Sequence, residues 1–260
     1  MARELPIELR KAEKEAKKLI EYFGIQSPEH IQLRNIASNL GAEVILGQLI
    51  NSAARLVRVG NRSLIRISDK ERYVEKQRFS LAHELGHLCL RHKNDYIECV
   101  EEDMMNWSSP KSQETEANVF AAELLMPTVL IEKRFDVSPV NFDIVEKICK
   151  EFRVSLMAAA IRFVRFSSEM CAVVCSKNKR VAWCFRSSDF CFPIMNGKEI
   201  DRRTIASDFY EYGNCQKEPE EIDSDAWIDN SKYGSRRKIV EHTFASNRIG
   251  FTLSLLWIES

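Results

Sequence analysis

The chain contains no CxxC pair, no apolar run of membrane-spanning length, no internal repeat and no net charge. Each absence removes a class of protein. Without CxxC pairs there is no zinc-knuckle spacing. Without a long apolar run there is no candidate transmembrane helix. Lys and Arg total 38 and so do Asp and Glu, so no global basic field draws in nucleic acid. Glycine (9) and proline (7) are too scarce for a fibrous or low-complexity chain. The opening MARELPIELRKAEKEAKKL lacks the apolar h-region of a signal peptide, so a cytosolic protein is expected. The eight cysteines then read as reduced, mostly buried thiols. What is present is 45% apolar residues in 260, enough for a packed core or two.

Helical periodicity covers residues 3–23, with Leu5, Leu9, Ala12, Ala16, Ile20 and Phe23 on one stripe. Ser27-Pro28 predicts a second helix through Ile31, Leu33, Ile36, Ala37 and Leu40, closed by Gly41. Residues 43–46 read as a short strand. Gly60-Asn61, between 54–59 and 63–67, predicts a hairpin. Residues 79–90 (FSLAHELGHLCL) are apolar on nearly every side, which predicts a buried helix. A polar, acidic loop is expected over 94–113, with Tyr96 and Trp107 in it. A helix over 114–126 follows, stopped by Pro127. Helices are predicted over 141–152 and 156–166. Beyond residue 168 the texture changes to short β-type runs, CAVVC, VAWCF and FCFPI, and ends in an apolar run over 249–258.

His83-Glu84-Leu85-Gly86-His87 is an HExxH motif. On a helix, positions i and i+4 share a face, so both imidazoles can reach one metal ion. Glu84 is the only carboxylate or fixed charge between Phe79 and Leu90. An acid in an apolar helix demands a partner, which a metal and its water would supply, and it is placed to serve as general base. Catalytic zinc sites hold three protein ligands, so a third is required. On the helix at 114–126 the apolar face is Ala117, Phe120, Ala121, Leu124 and Leu125. Glu114 lies at its edge, whereas Glu116 and Glu123 point away and read as a solvated face. Asn118, one turn on, is placed to accept from the outer nitrogen of a ligand histidine. His92 reads equally well as a site neighbour and as a surface histidine.

The string HELGH followed by EteANvFAAELLMP (Glu114–Pro127) resembles the ImmA/IrrE family of zinc peptidases, in the gluzincin-like group. The resemblance covers about residues 25–168, including the Arg78-Phe79 lead-in. It implies that His83, His87 and Glu114 are the metal ligands and Glu84 the catalytic base. Zinc is the implied ion, with manganese second. Relatives are site-specific endopeptidases that cut a helix-turn-helix repressor and release stress-response or mobile-element genes. In some, the C-terminal part is a GAF-like sensor. The expected fold is α+β: a zincin-like metalloprotease domain (1–135), a helix-turn-helix-like helical segment (136–168) and a small α+β C-terminal domain for regulation or docking (169–260). The expected partner is a protein substrate, a transcriptional repressor, with no membrane. Direct DNA binding is not expected, because the helix at 156–166 carries only Arg162 and Arg165 as charges, too few to read bases. The competing reading is a non-enzymatic, metal-containing regulator that binds a partner DNA-binding protein, as antitoxin-type proteins do.

Overall fold

The structure, a computed structural model, describes residues 7–50, 52–60, 62–92, 96–99, 112–135, 140–228 and 237–258. The fold is α+β, with eight α-helices and two sheets among these residues. The chain divides into two compact units: residues 4–134 with 148–155, and residues 135–147 with 156–260.

In the first unit, α1 (Ile7–Tyr22) presents Leu9, Ala12, Ala16 and Ile20 to the core, as its stripe predicts. The predicted second helix is broken. Pro28–His30 is a single 3-10 turn, and α2 runs only over Leu33–Asn39. Both Ile31 and Leu33 are buried, at 3% and 4% exposure. In one continuous helix, residues two apart lie about 200° apart and could not both face inward. The break at Ile31–Gln32 resolves that conflict.

Strands β1 (Ala42–Gly47), β2 (Ala54–Val59), β3 (Arg62–Ser68) and β4 (Tyr96–Cys99) form a sheet in the order β1-β3-β2-β4. The hairpin pairs Leu56 with Ile65 and Ala54 with Ile67 on the buried face. β1 joins it in parallel, and β4 adds antiparallel to β2. Part of the expected 94–113 loop is therefore a strand. Trp107 and the Tyr96 side chain lie outside the described residues. Helix α3 (Val74–Cys89) packs on β2 and β3, and α4 (Gln113–Leu125) packs against both α3 and α1. A short helix, α5 (Thr128–Arg134), follows. Glu123, expected on a solvated face, is 1% exposed and accepts from Thr128 N and Oγ1 at 3.0 and 2.8 Å. The tight Met126-Pro127 link swings the start of α5 back onto that carboxylate.

Helices α6 (Phe142–Phe152) and α7 (Leu156–Phe166) are joined through Arg153, at φ +53°. In the second unit α7 buries Ala159, Ala160, Phe163 and Val164, and it packs on β5 (Cys171–Lys177) and β6 (Arg180–Arg186). The antiparallel sheet runs β6-β5-β9-β8-β7, with β7 Glu220–Asp223, β8 Lys238–Ser246 and β9 Phe251–Trp257. FCFPI (190–194) is not a strand, although Phe190 and Phe192 are buried beside Trp227 in the core of the unit. Pro193 has no N–H for a ladder. The thiols are free among the described residues, and burial pushes Cys89 and Cys184 up to about 12. Among the described residues no helix is long and apolar enough to cross a membrane.

Glu241 on β8 is fully buried and accepts from Ala206 N, Trp227 Nε1 and Thr243 Oγ1 at 2.8, 2.8 and 2.7 Å. Ala206 stands in the first turn of α8 (Ile205–Tyr212), so the carboxylate ties that helix and the indole to the sheet. Glu241→Ala should strand these donors and lower the stability of the unit by roughly 3 kcal/mol in chemical denaturation. A loss under about 1 kcal/mol would mean that water replaces the carboxylate.

Candidate metal centre

Helix α3 is buried around its whole circumference from Ser80 to His87, as a helix apolar on all sides must be. His83, Glu84 and His87 are each 0% exposed. The helix ends in a Schellman-type turn: Arg91 takes φ +55°, and His92 N donates to His87 O at 3.2 Å. Arg58 of β2 closes this end, its guanidinium donating to the carbonyls of His92 and His87 at 2.7 and 2.8 Å.

Helix α4 starts at Ser112, whose hydroxyl accepts from Thr115 N. Ala117, Phe120, Ala121, Leu124 and Leu125 are all 0% exposed, so the predicted apolar face is the buried one. That leaves Glu114 at the edge facing α3. Its Oε2 lies 3.0 Å from His83 Nε2 and 3.4 Å from His87 Nε2, and the two Nε2 atoms are 3.0 Å apart. Asn118 Oδ1 lies 2.9 Å from His83 Nδ1. Four of the five residues that sequence reading selects on these two helices, His83, His87, Glu114 and Asn118, thus stand together. Glu84 shares the same turn of α3 as His83.

Among the described residues this is the one group of three metal-binding side chains. Its chemistry fits a small divalent ion. The Asn118 oxygen can only accept, so His83 Nδ1 carries the proton and Nε2 the lone pair. Burial pushes His87 down to about 4, so its ring is neutral at pH 7. Two imidazole nitrogens and a carboxylate oxygen then face one another at 3.0 to 3.4 Å. Tetrahedral ligands at ordinary zinc bond lengths would stand about 3.3 Å apart.

Two further residues belong here that sequence reading did not assign. His92 is 6% exposed, with Nδ1 2.8 Å from His87 Nδ1. Glu116, expected on a solvated face, puts Oε2 3.2 Å from His92 Nε2. Had α3 continued, His92 would lie about 140° around the helix from His87. Only the reversal at Arg91 brings them together. The third addition is Gly86. A Cβ there would stand 3.0 Å from Ala117 Cα and 3.2 Å from its carbonyl oxygen, so glycine is what lets α3 and α4 approach this closely.

A buried HExxH helix crossed by a second helix bearing a carboxylate defines a metallopeptidase-like domain. Residues 37–164 match the peptidase M78 family model, described as the IrrE N-terminal-like domain. This segment is an IrrE N-terminal-like domain of the peptidase M78 (ImmA/IrrE) family, whose members are metal-dependent. Among solved structures it is similar to a Mycobacterium tuberculosis transcriptional regulator, at 13% identity and TM-score 0.61. The likeness spans 95% of this chain and 76% of that one, and at such identity it is a likeness of fold. A search of the curated proteins gives no match.

Proposed function

We propose that the chain is a cytosolic, zinc-dependent, site-specific endopeptidase whose substrate is a helix-turn-helix transcriptional repressor, cut to release stress-response or mobile-element genes. The observation that carries this reading is the convergence of His83 Nε2, His87 Nε2 and a Glu114 carboxylate oxygen, all within 4.8 Å, with Glu84 one residue from a donor. His83, His87 and Glu114 would hold the ion, zinc before manganese because two imidazoles and one carboxylate suit it. The bound ion supplies polarisation of the scissile carbonyl and a lowered pKa for water. Glu84 is the general base: its carboxylate takes the proton from the attacking water and returns it to the leaving amide nitrogen. Asn118 holds the His83 ring in the tautomer that leaves Nε2 free to bind.

Access bears on where a folded repressor is cut, and the choice of that one substrate is carried over from the family resemblance. Both histidines are 0% exposed and the Glu114 side chain is 30% exposed, so substrate approaches along the Glu114 side. Folded proteins are cut at exposed, flexible segments rather than within a helix. The test is incubation of the zinc-loaded protein with the small repressor encoded by a neighbouring gene, read by mass spectrometry. One cut in an exposed segment of the repressor is expected, with casein left intact. Broad digestion of casein would overturn the narrow specificity. A stable complex with the repressor and no cut would instead support the non-enzymatic regulator.

A further inference from the structure

Behind His87, on the side away from Glu114 and His83, the structure holds a second line of polar groups. His92 Nδ1 is 2.8 Å from His87 Nδ1, and Glu116 Oε2 is 3.2 Å from His92 Nε2. The backbone fixes this arrangement from both ends. His92 is locked by its own N–H to His87 O and by Arg58 on its carbonyl, and Glu116 is fixed in the first turn of α4.

With both rings neutral, one assignment of donors and acceptors satisfies both contacts. A carboxylate only accepts, so His92 Nε2 donates to Glu116. The other nitrogen of a neutral His92 is then an acceptor, and the proton between the two rings belongs to His87 Nδ1. That leaves the lone pair of His87 on Nε2, the atom 3.4 Å from Glu114 Oε2 and 3.0 Å from His83 Nε2. In the opposite tautomer Nε2 would carry the proton and could not bind an ion.

We propose that Glu116 and His92 are positioning residues that act through His87, a carboxylate–imidazole relay that fixes its tautomer and strengthens Nε2 as a donor. This rests on the reading of His83, His87 and Glu114 as a metal centre. The two histidine donors are held differently. His83 leans on the neutral amide of Asn118, whereas His87 leans through His92 on a negative charge. The ring orientation of His87 is thus set from a residue on α4, the helix that also supplies Glu114, so both donors depend on the seating of α4.

The test is Zn(II) affinity of the full-length protein, measured by competition with a chromophoric chelator, beside the thermal midpoint of the metal-free form. His92→Leu fills the same space but removes the acceptor, and should weaken Zn(II) binding about 10- to 100-fold. His92→Asn restores an acceptor oxygen near the Nδ1 position and should recover most of that loss. A role in packing alone predicts the reverse order, Leu better than Asn. Glu116→Gln keeps shape and removes charge at a partly exposed position, so it serves should His92→Leu fail to fold. It should weaken binding by about three- to tenfold. Wild-type affinity in His92→Leu or Glu116→Gln, or His92→Asn no tighter than His92→Leu, would overturn the relay alone. Wild-type protein that takes up no Zn(II) would overturn the metal centre, and the relay with it.

Discussion

Glu84→Gln is expected to keep one equivalent of metal and to lose peptide cleavage by at least about a hundredfold, the usual worth of a general base. The asymmetry follows from position. The atoms that converge belong to His83, His87 and Glu114, and Glu84 is not among them. Glutamine is isosteric, so a helix already buried on all sides need not repack. Only the capacity to accept a proton disappears. Glu114→Gln should behave in the opposite way, weakening metal binding because an anionic donor becomes neutral. The double variant His83→Ala, His87→Ala should carry no metal. Metal content by elemental analysis and cleavage by mass spectrometry separate the three cases. Cleavage at the normal rate by Glu84→Gln would sink the hydrolytic mechanism. Metal retained by the double histidine variant would sink the ligand assignment.

The parts of this site legible in the sequence are those governed by a single helix. The i, i+4 spacing of His83 and His87 needs no tertiary knowledge. The placement of Glu114 needs only 100° per residue and the apolar face of its own helix. The helix boundaries follow the same logic: 114–126 is expected and Gln113–Leu125 is observed. The hairpin at 54–67 is legible because its turn residues lie between two apolar runs.

What the sequence hides depends on where the chain turns. His92 is five residues past His87, a separation that faces away on a helix and becomes a contact only through the αL residue Arg91. Arginine in place of glycine there gives no signal of a Schellman turn. Glu116 and Glu123 do point away from the apolar face of α4, as periodicity says. Yet that side also meets His92 and Thr128, which buries Glu123 and leaves Glu116 only partly exposed. The parallel pairing of β1 with β3 joins segments separated by the hairpin strand, which local pattern cannot register. FCFPI carries strand-like alternation, but it buries its phenylalanines without joining a ladder.

Gly86→Val should weaken metal binding although Gly86 touches no donor. A Cβ at this position would meet Ala117 Cα at 3.0 Å, its carbonyl oxygen at 3.2 Å and Phe120 Cβ at 3.3 Å. Two of these are backbone atoms of α4 and cannot rotate aside. Nor can α4 retreat freely, because it also packs against α1, where Ala12 and Ala16 are fully buried. Ala117 lies three residues after Glu114 and one before Asn118, so any shift that admits the new side chain carries both away from the histidines. Gly86→Ala asks for a few tenths of an ångström, and a gain of up to about 1 kcal/mol in helix propensity works against the strain. Its net effect on stability should be small. Valine adds two methyl groups against the same backbone and should destabilise the unit by about 1–3 kcal/mol, the range for overpacked cores. Donor atoms now 3.0 to 3.4 Å apart would separate, and Zn(II) affinity should fall at least about tenfold. Chelator competition on Gly86→Ala and Gly86→Val, each checked for native circular dichroism, gives the graded answer. Wild-type Zn(II) affinity in a folded Gly86→Val variant would show that the close approach of α3 and α4 does not set the spacing of the donors.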